Sequence, residues 1–78
     1  MSTFERLINV FDSVFDGDID TAGITLQSTL FEDIGMNSIG MLYMAMALEE
    51  EFGIKFKNED FAAIKTVSDV IEVIEKKA

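Results

Sequence analysis

The run from Met41 to Leu48 constrains the fold of this chain more than any other part of the sequence, because it contains no charged residue. It lies within a helical segment that we expect to begin at Ser38, to end near Phe52 and to close at Gly53. A helix that is apolar on all sides is normally buried. A chain of 78 residues forms too small a bundle to bury it completely. We therefore predict a small helical bundle in which one face of this helix remains exposed.

Helical spacing separates the apolar side chains of this segment into two faces. The face predicted to lie in the core consists of Met41, Met44, Ala45, Leu48 and Phe52, with Ile54 making a contact after the helix end. The face predicted to point outward, here called the apolar stripe, consists of Ile39, Leu42, Tyr43 and Met46. An exposed stripe of this kind usually marks an interaction surface. The alternative is that the loop preceding the helix covers the stripe.

The residues at the start of this helix favour a bound anion. Gly35 indicates a turn, and Asn37 and Ser38 are two adjacent residues of the types that cap helix N-termini. Free backbone N–H groups and the positive end of the helix dipole stabilise a phosphate group at such a position. A phosphate ester of the Ser38 hydroxyl would therefore be stable there. The alternative is that Ser38 is only the N-cap of the helix.

The first helix is predicted to open with a capping box formed by Ser2 and Glu5 and to end near Asp16 and Gly17. Its predicted inward residues are Phe4, Leu7, Ile8, Phe11, Val14 and Phe15. Residues 17–33 lack a long helical pattern but include the apolar residues Ile19, Ile24, Leu26, Leu30 and Phe31. We therefore expect a long loop that packs over the bundle, with one short helical turn at residues 28–32.

Two more helices are predicted near the C-terminus. Asn58 is the expected N-cap of a short helix that ends near Ile64, with Phe61 and Ile64 in the core. Thr66 and Asp69 resemble a capping box at the start of the last helix. The inward residues of that helix are predicted to be Val67, Val70, Ile71 and Ile74, and Lys76 and Lys77 suit its C-terminus. The predicted fold class is all-α: a small four-helix bundle with three longer helices, one short helix and a long loop between helices one and two. We expect residues 1–78 to form a single domain.

The composition excludes most of the chemistry that a small protein performs unaided. The chain has no cysteine and no histidine, so it lacks a thiolate nucleophile, an imidazole base and the usual zinc ligands. Any thiol chemistry must therefore come from an added group. Asp16, Asp18 and Asp20 alternate as in the start of a calcium-binding EF-hand loop, but Thr21 replaces the required glycine and Gln27 replaces the required glutamate. No metal site is predicted.

The charge of the chain indicates which partners it binds. Fifteen acidic and six basic residues give a net charge of −9, which repels nucleic acid and anionic membranes and attracts basic protein surfaces. Glu49 and Glu50 lie beside the apolar stripe, and we expect them to pair with a basic patch on a partner. No run approaches the about 18 apolar residues that span a bilayer, and no secretion signal is recognised. The sequence therefore predicts a cytoplasmic monomer with protein partners.

Two segments of the sequence resemble the acyl carrier protein family. They are Asp33-Ile34-Gly35-Met36-Asn37-Ser38-Ile39 and Met46-Ala47-Leu48-Glu49-Glu50-Glu51-Phe52-Gly53-Ile54. The family pattern is Asp-Leu-Gly-x-Asp-Ser-Leu, followed by a helix that ends near Leu-Glu-Glu-Glu-Phe-Gly-Ile. The resemblance implies that a phosphopantetheinyl transferase attaches 4′-phosphopantetheine covalently to Ser38. It also implies that the protein carries acyl or related groups as thioesters between acyl-processing enzymes, in fatty-acid or specialised lipid or polyketide synthesis. In that scheme the protein is a substrate and shuttle, not an enzyme.

Three positions depart from the pattern of the fatty-acid members of the family. Asn37, Gly40 and Tyr43 stand where those members resemble one another in carrying acidic residues. We therefore predict a carrier specialised away from the housekeeping fatty-acid enzymes, with a partner pocket that is apolar near the arm and basic only at its far end. Two alternatives remain open: an aminoacyl or peptidyl carrier of a specialised pathway, and an unmodified interaction module that uses the apolar stripe alone.

Overall fold

The computed structural model describes residues 2–78, which form four α-helices and no β-strand. The helices are α1 (Thr3–Val14), α2 (Ser38–Phe52), α3 (Asn58–Ala63) and α4 (Val67–Lys77). A short 3₁₀ helix, Thr21–Gly23, lies within the long connection between α1 and α2. The predicted all-α fold, with three longer helices and one short helix, is confirmed.

Helix α1 begins with the predicted capping box. The Glu5 amide donates to Ser2 Oγ over 3.1 Å, and the Ser2 amide donates to Glu5 Oε1 over 3.0 Å. Leu7 and Phe11 are fully buried, and the other predicted inward residues are partly buried. Val10, which the predicted face did not include, is also buried. The α1 stripe is therefore wider than predicted, because both α2 and α4 pack against this helix.

Helix α2 has the predicted ends. Gly53 has a φ of 67°, a left-handed conformation that glycine adopts without strain, and its amide donates to the Glu49 carbonyl oxygen over 2.9 Å. Ile54 is buried, as expected for the contact after the helix end. The predicted core face is buried, with Phe52 only partly so. The four residues of the apolar stripe are between 57% and 64% exposed, so the alternative that the loop covers them is wrong.

The long loop packs over the bundle through fewer side chains than predicted. Ile24 and Leu30 are buried, but Leu26 and Phe31 are 43% and 52% exposed, so those two expected anchors are wrong. The predicted helical turn is present at residues 29–33, one position later than expected, because the Asp33 amide donates to the Thr29 carbonyl oxygen over 3.2 Å. Thr29 also forms an antiparallel bridge with Thr66, and two further hydrogen bonds join its amide and hydroxyl to Asp33.

Backbone hydrogen bonds fasten this loop to the start of α4. The Val67 amide donates to the Ser28 carbonyl oxygen over 3.0 Å, and the Ser68 amide donates to the Leu26 carbonyl oxygen over 2.9 Å. In the opposite direction, the Leu30 amide donates to the Lys65 carbonyl oxygen over 2.9 Å. The loop position is therefore set by main-chain groups far away in the sequence as well as by the buried Ile24 and Leu30, which explains why apolar residues alone did not predict its anchors.

The N-cap of α3 is Lys57, not the predicted Asn58. The Lys57 amide donates to Asp60 Oδ2 over 2.7 Å, so the carboxylate of the first turn reaches back and closes the helix start. Asp60 also forms an ion pair of 2.9 Å with Lys77, which joins α3 to the C-terminus of α4. Hydrogen bonding by the Lys57 amide, together with Lys77, lowers the pKa of Asp60. Helix α3 is therefore held at both its start and its outer face.

The capping box of α4 is confirmed. The Asp69 amide donates to Thr66 Oγ1 over 3.3 Å, and the amides of Thr66 and Lys65 each donate to Asp69 Oδ2 over 3.0 Å. These bonds lower the pKa of Asp69. Val67, Val70 and Ile74 are buried as predicted. Ile71, also predicted to point inward, is only partly buried.

Arg6 joins α1 to the end of α2. Its Nη2 atom lies 3.0 Å from Glu51 Oε2 and donates to the Glu51 carbonyl oxygen over 3.0 Å, and the guanidinium lies 4.2 Å from the centre of the Phe52 ring. A cation there also offsets the negative end of the α2 dipole. None of the helices within residues 2–78 is both long and apolar enough to cross a bilayer.

Candidate functional site

Ser38 is the first residue of α2, and its side chain is exposed. The N-cap is Asn37, whose Oδ1 atom accepts a hydrogen bond of 2.7 Å from the Gly40 amide. The alternative that Ser38 is the N-cap is therefore wrong. Asn37 has the extended backbone conformation of a cap, whereas Ser38 already belongs to the helix. The Ser38 hydroxyl is left without a capping role.

The backbone amides in the first turn of α2 differ in whether they have a hydrogen-bond acceptor. The amide of Gly40 donates to Asn37 Oδ1 and that of Met41 to the Asn37 carbonyl oxygen, but the amides of Ser38 and Ile39 find no acceptor within residues 2–78. Two unpaired N–H groups at the positive end of a helix are suited to an anion. The exposed hydroxyl of Ser38 therefore lies beside a place where a phosphate would be stabilised.

Helix α4 provides the contrast. Its first two amides, those of Val67 and Ser68, donate to carbonyl oxygens of the long loop, and its third, that of Asp69, donates to Thr66 Oγ1. Ser68 is exposed and lies in the first turn, as Ser38 does in α2. Since the loop occupies the amides around Ser68, the start of α2 differs from that of α4 in having both an exposed hydroxyl and two amides without an acceptor within residues 2–78.

The turn that precedes Ser38 is fixed by a buried side chain and a backbone hydrogen bond. Gly35 has a φ of 85°, which turns the chain into the helix. Met36 is buried, and its amide donates to the Leu30 carbonyl oxygen over 2.8 Å. Ser38 therefore projects from a turn whose neighbouring residues are fixed by packing and backbone bonds.

The apolar stripe starts directly after Ser38. Its first residue, Ile39, is 62% exposed, and its last, Met46, is 64% exposed. Leu42 and Tyr43 lie between them, 57% and 59% exposed. The structure thus places the predicted interaction surface and the candidate attachment residue on one continuous side of α2.

The two glutamates predicted to meet a partner differ in their surroundings. Glu50 is exposed. Glu49 is partly buried, and its Oε2 atom accepts a hydrogen bond of 2.8 Å from the Phe56 amide in the segment between α2 and α3. Glu50 is therefore accessible on the surface, while Glu49 already has a hydrogen-bond donor within the chain.

Comparison with known proteins agrees with this geometry. The family model described as "Phosphopantetheine attachment site" matches residues 5–74. The chain belongs to the acyl carrier protein family. The acyl carrier protein of Coprothermobacter proteolyticus is 32% identical over 72 residues, which cover 92% of this chain and 85% of that protein. The acyl carrier protein of Thermotoga maritima is 36% identical over 59 residues, which cover 76% of this chain and 73% of that protein.

A solved structure supports the same family. The solution NMR structure of the holo acyl carrier protein from Geobacter metallireducens matches with a TM-score of 0.82 and 26% identity, and it covers 99% of this chain and 86% of that chain. Members of the acyl carrier protein family are carriers rather than enzymes, and their cofactor is covalently bound 4′-phosphopantetheine. They interact with a phosphopantetheinyl transferase and with acyl-processing enzymes.

The three residues that depart from the family pattern differ in their exposure to solvent. Tyr43 is exposed on the apolar stripe, and Asn37 is exposed as the N-cap. Gly40 is buried, so it offers no position for a charge that a partner would meet. Sequence reasoning missed its role in packing, although a glycine in the first turn of an otherwise strong helix is a signal of close approach.

Proposed function

We propose that this chain carries acyl groups as thioesters on a 4′-phosphopantetheine arm attached to the Ser38 hydroxyl, with residues 1–78 acting as one monomeric carrier domain. The observation that supports this site is the N-terminus of α2, where an exposed hydroxyl lies beside the unpaired amides of Ser38 and Ile39. Those N–H groups and the helix dipole stabilise the negative charge of a phosphodiester. Ser38 also lies within the residues matched by the family model.

Attachment of the arm is a phosphoryl transfer from coenzyme A. Ser38 Oγ forms a new bond to the phosphorus that carries the pantetheine, the pyrophosphate bond of coenzyme A breaks, and adenosine 3′,5′-bisphosphate leaves. The chain has no histidine or cysteine, so we assign the base that takes the Ser38 proton to the transferase. Once bound, the arm supplies the thiol that the chain itself lacks.

The intact mass of the protein tests the attachment residue. The protein should gain the mass of one arm when it is incubated with coenzyme A and a broad-specificity phosphopantetheinyl transferase. Ser38→Ala should gain nothing. Ser68→Ala is the matched control, because Ser68 is an exposed serine in the first turn of a helix whose first amides are occupied. It should be modified like the wild type.

Two outcomes would reject the proposal. A wild-type chain that gains no arm would leave an interaction module without an arm as the better interpretation of the apolar stripe. A Ser38→Ala chain that still gains an arm would move the attachment to another residue.

The apolar stripe, together with Glu50, is the surface that we propose for partner enzymes. It begins beside Ser38 and extends along α2 for about two turns, so a partner that receives the arm would contact it at the same time. The stripe carries no charge, and Glu50 lies toward its far end. A partner with an apolar pocket near the arm and basic residues farther along α2 would match this surface.

A further inference from the structure

Gly40, the third residue of α2, lies at the meeting point of three groups. A Cβ atom built on Gly40 would lie 3.1 Å from Met36 Cγ, 3.2 Å from Phe15 Cε1 and 3.3 Å from Asn37 Oδ1. Contacts of this length are tighter than ordinary van der Waals contact. Gly40 has no left-handed backbone conformation, so the space around it, not its φ, requires the glycine.

Each of these groups controls a different part of the turn that holds Ser38. Asn37 Oδ1 is the acceptor of the cap hydrogen bond. Met36 is the buried residue beneath the turn, and its amide is bonded to the long loop. Phe15 belongs to the end of α1, so its ring brings α1 against the first turn of α2. A methyl group at Gly40 would displace at least one of them by a few tenths of an ångström.

We propose that Gly40 is a positioning residue for arm attachment, because its missing side chain lets Phe15, Met36 and the Asn37 cap fix the turn that presents Ser38. This inference rests on the proposed attachment at Ser38. Gly40 is buried and acts through these three neighbours rather than by touching the transferase. Its effect therefore falls on the placement of the Ser38 hydroxyl, while the apolar stripe remains available for docking.

The test is the steady-state kinetics of arm transfer to Gly40→Ala by a broad-specificity phosphopantetheinyl transferase. A small displacement of a reacting group lowers the rate of the chemical step steeply. We expect kcat to fall about tenfold and the KM for the carrier to stay within about twofold. Alanine is a better helix former than glycine, so the fall would not come from a weaker helix.

Gly23→Ala is the matched control. Gly23 lies in the 3₁₀ helix of the loop, it has no left-handed conformation, and a Cβ there would meet only Asp20 Oδ2 at 3.9 Å. This variant makes the same chemical change where space is available. Its kcat and KM should equal those of the wild type.

A second substitution tests the mechanism independently of how well Gly40→Ala folds. Phe15→Leu removes the ring atom nearest the new methyl group and should by itself lower kcat about threefold, because the first turn loses a contact with α1. The double variant Phe15→Leu, Gly40→Ala should recover from the level of Gly40→Ala to that of Phe15→Leu, since the ring and the methyl group compete for one space. In NMR spectra, the amide proton of residue 40 should exchange with solvent faster in Gly40→Ala than in the wild type. In the double variant it should exchange more slowly than in Gly40→Ala.

Three results would overturn the proposal. They are an equal kcat for Gly40→Ala and Gly23→Ala, an effect of Gly40→Ala on KM alone, and a kcat of the double variant lowered by the product of the two single-variant factors. A wild-type protein that gains no arm would instead reject attachment at Ser38. Modification of the wild type together with unchanged Gly40→Ala kinetics would retain the attachment and reject only the role of Gly40.

Discussion

At the scale of single residues, Asn37 and Ser38 show how two neighbours with similar side chains take different roles. Both are typical N-cap residues, but only Asn37 has the extended backbone that lets its side chain reach the Gly40 amide. Ser38 lies one residue further, within the helix, and its side chain is exposed to solvent. Capping and attachment are thus separate, and changing the hydroxyl leaves the cap in place.

This separation predicts the stability of two substitutions. Asn37→Ala should lower the free energy of unfolding by about 1 kcal/mol, the typical loss for a removed N-cap, because the Gly40 amide loses its acceptor. Ser38→Ala should change it by less than about 0.5 kcal/mol, as expected for an exposed side chain without a bond. Urea denaturation followed by circular dichroism measures both. Equal losses would show that Ser38 takes part in capping.

At the scale of helices, the start of α4 depends on the charge of Asp69. Its carboxylate accepts hydrogen bonds from the amides of Thr66 and Lys65, which lower its pKa below the usual 3.8. The unfolded chain binds this proton more readily, so the stabilisation is complete above the unfolded pKa and is lost as the pH falls through the lower, folded pKa. The stability that α4 gains from Asp69 therefore belongs to neutral and mildly acidic solution.

Substitution of this residue tests that dependence. Asp69→Asn should lower the free energy of unfolding at pH 7 by about 1 kcal/mol, since hydrogen bonds to a charged acceptor are replaced by weaker ones. The difference from the wild type should shrink below about pH 4 as Asp69 is protonated. Glu72→Gln, an exposed acid on the same helix, is the control and should leave the free energy of unfolding at pH 7 nearly unchanged. A pH-independent difference would mean that the shape of Asp69, not its charge, caps α4.

Helix α2 predicts an asymmetry between its two candidate docking acids. Glu50→Lys should weaken binding of a cognate partner by up to about fivefold at low salt, because exposed ion pairs contribute about 0.2–1 kcal/mol. The effect should diminish at higher ionic strength as the pair is screened. Glu72→Lys changes the net charge equally on α4 and should leave affinity nearly unchanged. Isothermal titration calorimetry measures the affinity of the wild type and of both variants for the partner. Equal losses of affinity in the two variants would exclude a local role for Glu50.

Glu49 is unsuitable for this comparison. Its carboxylate accepts the Phe56 amide, so its replacement would disturb the segment between α2 and α3 as well as the surface. The expectation that Glu49 and Glu50 act as an equivalent pair came from their adjacency in sequence. The structure separates them because neighbours on a helix point about 100° apart.

At the scale of the whole molecule, sequence predicted most of what depends on local signals, with the N-cap of α3 as an exception, and missed what depends on distant contacts. The ends of α2 and both capping boxes follow from residues within a few positions of one another. The exposure of Leu26 depends on backbone bonds to α4, and the burial of Gly40 depends on the end of α1. No periodicity in the loop or in the first turn of α2 encodes those contacts. The candidate hydroxyl was predictable, but the packing that supports it was not.

The surface as a whole predicts selectivity among partner enzymes. We expect housekeeping fatty-acid synthase enzymes that require early acids to turn over the loaded protein slowly, because their basic groups would meet the uncharged Asn37 and Tyr43. The double variant Asn37→Asp, Tyr43→Glu should be turned over faster, since aspartate also caps a helix. Gly40 is left unchanged because it is buried. Rapid turnover of the wild type, with no gain in the variant, would contradict specialisation.

The main-chain fastening of the long loop has a consequence for how such a protein diversifies. The bonds from Val67 and Ser68 end on carbonyl oxygens of the loop, and every residue type has a carbonyl oxygen. Loop positions such as Leu26 and Phe31 can therefore change their side chains while the loop keeps its course. Drift in this segment would alter the outline that neighbouring proteins meet, while the helix that bears Ser38 stays in place.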